Sequence, residues 1–135
     1  MMRLLLFSAF LLTACSREAA SPDLAGSYSG QGRDRLCIAG EDEALRAGVI
    51  AYGAGDMNCS AAGRLERSDA GVALIPAGDS ECRIPLAVDG GAATIADVPA
   101  TCSYYCAPGA TFSGKSFAKD SATTAVTDFA GDPLC

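Results

Sequence analysis

Four residues in the C-terminal third of the chain have the spacing of a phosphate-binding loop. Gly109, Gly114, Lys115 and Ser116 fit the pattern G-x4-G-K-[ST], in which backbone N–H groups surround phosphate oxygens and the lysine and hydroxyl complete the site. That chemistry requires a buried parallel strand before the loop and a long helix after it. Here a segment ending in Pro108 precedes the pattern, and a short tail rich in Thr and Ala follows it. We therefore interpret the segment as a Gly-rich turn into a strand, and we predict no nucleotide binding.

Other catalytic arrangements have little support in the sequence. The chain has no histidine, which excludes Ser-His-Asp and Cys-His nucleophiles. Asp and Glu together number 16, so a small carboxylate-dependent hydrolase stays open as an alternative. The acidic run at residues 41–43 lacks the alternating oxygen ligands of calcium loops, and we expect a solvated turn there. We predict a protein that is not an enzyme and that needs no metal or cofactor.

Six of the seven cysteines predict a disulfide framework. They are an even set with no histidine among them and with one close pair, which favours bridges over a zinc site. The bridges would supplement a core rich in Ala and without Trp. Among many connectivities we expect 37–59, 82–102 and 106–135, the last holding the C-terminus. The six residues are Cys37, Cys59, Cys82, Cys102, Cys106 and Cys135.

The N-terminal residues have the organisation of a bacterial secretory signal. Arg3 supplies a positive charge, and an apolar run follows that is much shorter than the roughly 20 residues of a membrane-spanning helix. The sequence Leu12-Thr13-Ala14-Cys15 resembles the lipobox of bacterial lipoproteins. This resemblance implies cleavage before Cys15, which becomes the lipidated first residue of the mature chain.

The lipoprotein resemblance also implies a location and an organisation of the chain. Lipoproteins carry a diacylglycerol on this cysteine and usually a further acyl chain such as palmitate, and two or three chains give long-lived membrane attachment. Ser16 stands where Asp signals retention at the inner membrane, which favours the outer membrane. We expect a signal peptide over residues 1–14, the lipidated cysteine and a tether over 15–24, and a single domain over 25–135.

The charge of the chain limits the class of partner. The formal net charge is −6, and loss of the leader with Arg3 makes the mature chain more acidic. Phosphate backbones need a basic face, so we predict no nucleic-acid partner. An acidic surface suits a basic partner through electrostatic steering, although it also serves plain solubility.

Short runs with β-like composition recur between turn residues and predict a mainly β fold. We expect a small disulfide-stabilised sandwich or barrel of about seven to eight short antiparallel strands with little helix. Asp89-Gly90-Gly91 is typical of a hairpin turn, and Pro85 favours an edge or a bulge for its strand. Residues 41–46 fit either one helical turn or a polar loop. The expected strands cover residues 26–31, 34–39, 47–53, 58–67, 71–76, 81–88, 92–97 and 111–117.

Two adjacent tyrosines are the candidate interface. Tyr104 and Tyr105 lie between Cys102 and Cys106, where bridges would display them rigidly. Tyrosine gives large contact area at low entropic cost and anchors many interfaces. The alternative is that one ring packs in the core and the other lies on the surface.

These observations favour a non-enzymatic lipoprotein of the outer membrane whose domain binds a protein or a glycan of the envelope. The leader, the small disulfide-linked β domain, the acidity and the stretch Gly109-Ala-Thr-Phe112 are similar to lipoprotein inhibitors of C-type lysozyme. In that family a Ser-Gly-x-x-Tyr loop enters the active site of lysozyme, a strongly basic enzyme. Here Pro108 stands for the serine and Phe112 for the tyrosine, so no inhibitory residue is carried over. Inhibition of lysozyme is therefore an alternative function.

Overall fold

The strands close into a barrel in which every strand pairs with its neighbour along the chain. The computed structural model describes residues 24–69, 71–120 and 125–135. All pairings are antiparallel, and β8 closes the barrel on β1 through pairs such as Tyr28 with Lys119. Of the two predicted architectures, the barrel is thus correct. The strands are β1 (Gly26–Ser29), β2 (Arg35–Ala39), β3 (Arg46–Tyr52), β4 (Asn58–Ser68), β5 (Gly71–Pro76), β6 (Ile84–Asp89), β7 (Ala92–Ile95) and β8 (Lys115–Asp120).

The up-and-down order gives the barrel two different ends. The lower end carries Leu24 and the β2–β3, β4–β5 and β6–β7 connections. One of these is the predicted hairpin turn, in which Gly90 and Gly91 have φ angles of 56° and 95° and so need the freedom of glycine. The upper end carries the β1–β2, β3–β4, β5–β6 and β7–β8 connections. The long β7–β8 connection contains a 3-10 helix, Ala100–Tyr105, which we call the cap helix.

Alternate residues of each strand fill the interior with side chains. They form one continuous apolar cluster, as expected for a barrel of eight strands. The Tyr28 hydroxyl is buried with them and donates to the backbone oxygen of Leu24 at 2.7 Å. This bond ties Leu24, the first described residue, to β1. The largest members of the cluster include Tyr28, Leu36, Val49, Leu74, Ile84, Ile95, Phe112 and Phe117.

Two strands begin three or four residues later than the sequence predicts. The Asp79 carboxylate accepts bonds from the N–H groups of Glu81 and Cys82, which keeps these residues in a turn and starts β6 at Ile84. β8 starts at Lys115 instead of residue 111, because Gly114, with φ of 79°, turns the chain just before it.

Pro85 marks neither an edge strand nor a bulge in the pairing with β5, so the prediction of an edge or a bulge is wrong. A closed barrel has no edge, and β6 pairs with β5 and with β7. Pro85 itself lies opposite Ala73 of β5, whereas pairing with β7 begins only at Ala87. Its missing N–H is tolerated because this part of β6 has a paired neighbour on one side only.

Helix is confined to short 3-10 turns in the described residues. Residues 41–46, for which a helical turn or a loop was expected, contain the 3-10 helix Asp42–Ala44 on the exposed surface. Among residues 24–69, 71–120 and 125–135, no helix is long and apolar enough to cross a membrane.

All six cysteines expected to form bridges do so, but two of the three predicted pairs are wrong. The 82–102 pair is confirmed, whereas the other bridges join Cys37 to Cys135 and Cys59 to Cys106. Cys37 on β2 faces outward, and Cys59 on β4 belongs to the interior cluster. They lie on opposite sides of the barrel wall with β3 between them, so they cannot meet.

The C-terminal residues 125–135, which we call the strap, pack against the outside of the barrel. Val126 and Leu134 cover Cys37 and Ile50 in a second small apolar cluster. Leu134 lies so close to Gly48 that a Cβ on that glycine would come within 2.4 Å of it. The bridge from Cys37 to Cys135 therefore fastens a segment that the strand ladder does not hold.

Candidate interaction surface at the upper end of the barrel

The cap helix is held at the upper end by two disulfides. Cys102 within the helix is bonded to Cys82, and Cys106 directly after it is bonded to Cys59 at the start of β4. The N–H of Ala107 adds a 2.9 Å bond to the backbone oxygen of Asn58. These links fix a short helix that has too few residues to be stable by itself.

Tyr105 is anchored from the cap helix to the β5–β6 connection. Its hydroxyl donates to an Asp79 carboxylate oxygen at 2.9 Å. This bond holds the pKa of the Asp79 carboxyl below its usual value, with help from the N–H groups of Glu81 and Cys82. Partial burial, and then the facing carboxylate, raise the pKa of the Tyr105 phenol. Both shifts favour the same state, a neutral phenol that donates to an ionised carboxylate.

Tyr104 is displayed in solvent beside this anchored ring. It is 87% exposed and meets Tyr105 edge-on, with the ring centroids 5.3 Å apart. Met57 of the β3–β4 connection is another exposed large apolar side chain at this end. The burial of the tyrosine pair matches the alternative of one packed ring and one surface ring: Tyr105 packs against the core, and Tyr104 lies on the surface. Tyr104 is the residue available for contact.

Three carboxylates near the cap helix, in the chain or across a disulfide, form no ion pair with another described residue. Asp79 and Glu81 belong to the β5–β6 connection, which the Cys82–Cys102 bridge joins to the helix, and Asp97 lies three residues before the helix. Arg33 at the same end is neutralised by Asp56 at 3.0 Å. The surface that presents Tyr104 is therefore locally negative. We call Tyr104, Tyr105, Asp79, Glu81 and Asp97 the upper surface.

The segment that matched the phosphate-binding pattern has a structural role at this end. Lys115 donates to a carboxylate oxygen of Asp34 at 3.0 Å and to the backbone oxygen of Tyr52 at 2.9 Å. Asp34 is only 3% exposed, and it also accepts a 2.7 Å bond from the N–H of Tyr52. These bonds join the β1–β2 turn, β3 and β8. After Gly114 the chain enters a strand, as predicted, and the lysine faces the protein.

A groove of about 310 Å³ lies on the outside of the barrel between β1–β3 and the strap. Two carboxylates, Asp120 and Asp128, are among its lining residues, as the alternative of a hydrolase would require. Ser29 donates a hydrogen bond to Asp120. Arg33 lies 3.9 Å above the ring of Tyr52. The lining has two arginines, Arg33 and Arg35, against the two aspartates, so its formal charges balance.

The remaining sequence candidates lie apart from the upper surface or outside the described residues. The acidic run 41–43 is exposed at the lower end, and within the described ranges no three His, Cys, Asp or Glu residues are grouped to hold a metal. Phe112, which stands where lysozyme inhibitors have a tyrosine, is 1% exposed in the core. Cys15 lies outside the described residues.

The sequence did not reveal the partners of Tyr105 and Lys115. Asp79 is 26 residues from Tyr105, and Asp34 is 81 residues from Lys115, and they meet only because the barrel closes. The one local signal was Asp79 itself, since an Asp three residues before a bridged cysteine is suited to an Asx turn.

Comparison with known proteins adds no relative. The chain matches no protein-family model, and no curated protein or solved structure is significantly similar to it.

Proposed function

We propose that this protein is a non-enzymatic lipoprotein of the bacterial outer membrane that binds a basic envelope or extracellular protein through its upper surface. The observation that carries the proposal is Tyr104, an almost fully exposed aromatic ring on a helix that two disulfides hold, close in the chain or across a disulfide to carboxylates that form no ion pair with another described residue. Exposed rings held rigidly lose little entropy on binding and commonly form the centre of interfaces. The negative charge around the ring favours a positively charged partner.

The position of the proposed anchor agrees with this use of the upper end. Leu24 lies at the lower end, nine positions after Cys15 in the chain. Nine residues span at most about 30 Å when fully extended. A lipid on Cys15 would therefore keep the lower end near the membrane and leave the upper surface facing away from it.

The filled interior supports a binding role over an enzymatic one. Ligand and substrate sites in barrels of this size use an open interior or mouth. Here the interior is occupied by one apolar cluster, and Lys115 and Asp34 bind each other at the upper end.

Site-specific photocrosslinking in intact cells tests the proposal. A benzophenone amino acid replaces Tyr104, and the matched control carries it at Phe129, an exposed ring on the strap that is 59% accessible. We expect a discrete adduct with one basic protein from position 104 and none from position 129. Equal adducts from both positions, or no adduct from position 104, would contradict an interface at the upper surface.

The anchor is tested separately by Cys15→Ser. We expect the protein to lose labelling by a radioactive or clickable palmitate, to keep its uncleaved leader and to be absent from the outer-membrane fraction. A variant that stays in the membrane fraction with its label would exclude Cys15 as the lipidated residue.

Inhibition of C-type lysozyme is a second candidate, favoured by the acidic upper surface and the strong positive charge of that enzyme. The buried Phe112 is not accessible to an active site, so inhibition would have to use Tyr104 and its neighbours. The purified protein in detergent micelles is added to lysozyme acting on bacterial cell walls. Slower lysis at micromolar protein, restored by Tyr104→Ala, would support this candidate, and unchanged lysis would exclude it.

A further inference from the structure

We infer that a small cavity beside the cap helix receives a single apolar side chain of the protein partner, flanked in that partner by Lys or Arg. The inference rests on the proposed function and specifies the chemistry of the partner. The cavity has a volume of about 190 Å³ and lies between the cap helix and the residues that lead into β8. Its lining includes Val98, Cys102, Ser103, Ala110, Phe112 and Ser113.

The floor of the cavity is apolar and belongs to the core. Phe112 and Cys102 are buried members of the interior cluster, and Val98 and Ala110 pack against that cluster. An apolar group that enters would exchange water for these carbon and sulfur atoms, which is favourable in proportion to the area covered.

The walls of the cavity are held in place by hydrogen bonds. The N–H of Val98 donates to the Ser113 hydroxyl at 3.1 Å, and the N–H of Ser113 donates to the Thr111 hydroxyl at 3.0 Å. Gly114 donates to the backbone oxygen of Ile95 at 2.8 Å. On the other side the cap helix is fixed by its disulfides. A preformed cavity of this kind binds with little ordering cost.

The size of the cavity points to a side chain and not to a small molecule. Sites for small-molecule ligands occupy about 300–1,000 Å³, well above this volume. Pockets that take one anchoring side chain are a regular feature of protein interfaces. The hydroxyls of Ser113 and Thr111 each accept a backbone bond, so these two groups hold the wall together.

The charges beside the cavity select the residues next to that side chain. Asp97 precedes Val98 of the cavity wall, and Asp79 and Glu81 lie within three residues of Cys82, which is bonded to Cys102 of the cavity lining. None of the three forms an ion pair within the described chain. An apolar residue between basic residues therefore fits both the cavity and its rim.

A peptide titration of the purified lipoprotein in detergent micelles tests the inference. The probe is N-acetyl-Lys-Phe-Lys-amide, followed through the backbone amide shifts of Cys102, Ala110 and Ser113. We expect saturable shifts at these amides, at least tenfold weaker binding of the Lys-Ala-Lys peptide, and no saturation with Glu-Phe-Glu. Equal binding of the Phe and Ala peptides, or an absence of saturable shifts with Lys-Phe-Lys, would overturn it.

Two matched substitutions on the cap helix locate the binding. Ser103→Trp places a large ring on a residue that lines the cavity, whereas Thr101→Trp places the same ring on an exposed residue of the same helix that does not. We expect Ser103→Trp to weaken peptide binding at least tenfold and Thr101→Trp to leave it unchanged, with the amide dispersion of both proteins retained. Equal effects of the two substitutions would overturn the assignment to this cavity.

The crosslinking experiment separates failure of this inference from failure of the proposed function. If the adduct at position 104 persists unchanged in the Ser103→Trp protein, the upper surface binds its partner without the cavity, and the inference falls alone. If no adduct forms even in the unsubstituted background, the proposed function falls, and the inference about its partner falls with it. Loss of the adduct with Ser103→Trp, but not with Thr101→Trp, supports both.

Discussion

The bridge from Cys37 to Cys135 fastens the strap, and the double substitution Cys37→Ala with Cys135→Ala removes it. We expect this removal to lower the free energy of unfolding by about 4 kcal/mol. The two cysteines are 98 residues apart, and an isolated loop of that length corresponds to about 4.7 kcal/mol of lost chain entropy. The bridge between Cys59 and Cys106 lies inside this loop and shortens it. The closed path then runs from Cys37 to Cys59 and from Cys106 to Cys135, about 50 residues, which lowers the figure to about 4 kcal/mol.

Guanidinium unfolding of the oxidised protein, followed by far-UV circular dichroism, measures this loss. A thiol assay confirms that the remaining two bridges are intact. The comparison protein carries Cys82→Ala with Cys102→Ala, which opens a loop with a separation of 20 residues and should cost about 3 kcal/mol. A loss below about 2 kcal/mol for the Cys37–Cys135 bridge, or one smaller than in the comparison protein, would refute the path-length argument.

Three further predictions concern the polar contacts and the strap. Lys115→Met should lower the free energy of unfolding by about 3 kcal/mol, because it leaves the buried Asp34 carboxylate without its cation. Adding Asp34→Asn to that variant should restore most of the lost stability. If chemical denaturation shows no recovery in the double variant, the pairing is contradicted. Because the pKa of Tyr105 is raised and that of Asp79 is lowered, their hydrogen bond stabilises the fold across neutral pH. This stabilisation is lost as pH rises through the pKa of Tyr105, and also as pH falls through the pKa of Asp79. In an absorbance titration the Tyr105 phenol, identified by comparison with Tyr105→Phe, should ionise later than a free tyrosine and return towards it with Asp79→Asn. Gly48→Ala should displace the strap at a cost of about 1–3 kcal/mol, seen as faster proteolysis of the strap with unchanged barrel dichroism.

The sequence was sufficient to predict the strands because their signals are local. Alternating apolar residues and turns such as Asp89-Gly90-Gly91 depend on neighbours in the chain, and β5 was placed at its observed bounds. The start of β8 was missed because Phe112 looks like a strand residue, although it packs into the core from a loop. The edge assigned to Pro85 failed because closure of the barrel depends on pairing between β1 and β8, which no local pattern encodes.

The disulfide pairs and the contacts of the upper surface could not be predicted for a similar reason. The sequence offers no local signal that separates one connectivity from another, whereas in the fold the side of the barrel wall that Cys37 and Cys59 each face decides the partner. The candidate interface at Tyr104 and Tyr105 followed from their position between two cysteines. Their different burial arises from Asp79, which is brought to Tyr105 by the β5–β6 connection.

The disulfide arrangement also determines how the domain would respond to tension between a membrane anchor and a partner held at Tyr104. Force would enter at Leu24, pass along β1 and β2 to Cys37, continue through β3 to Cys59, and cross the bridge to Cys106 beside the cap helix. Unravelling would be limited to the first three strands before the covalent path became taut. β5, β6 and β7 lie outside this covalent path. The cap helix would stay covalently joined to the anchor even after the first three strands had parted.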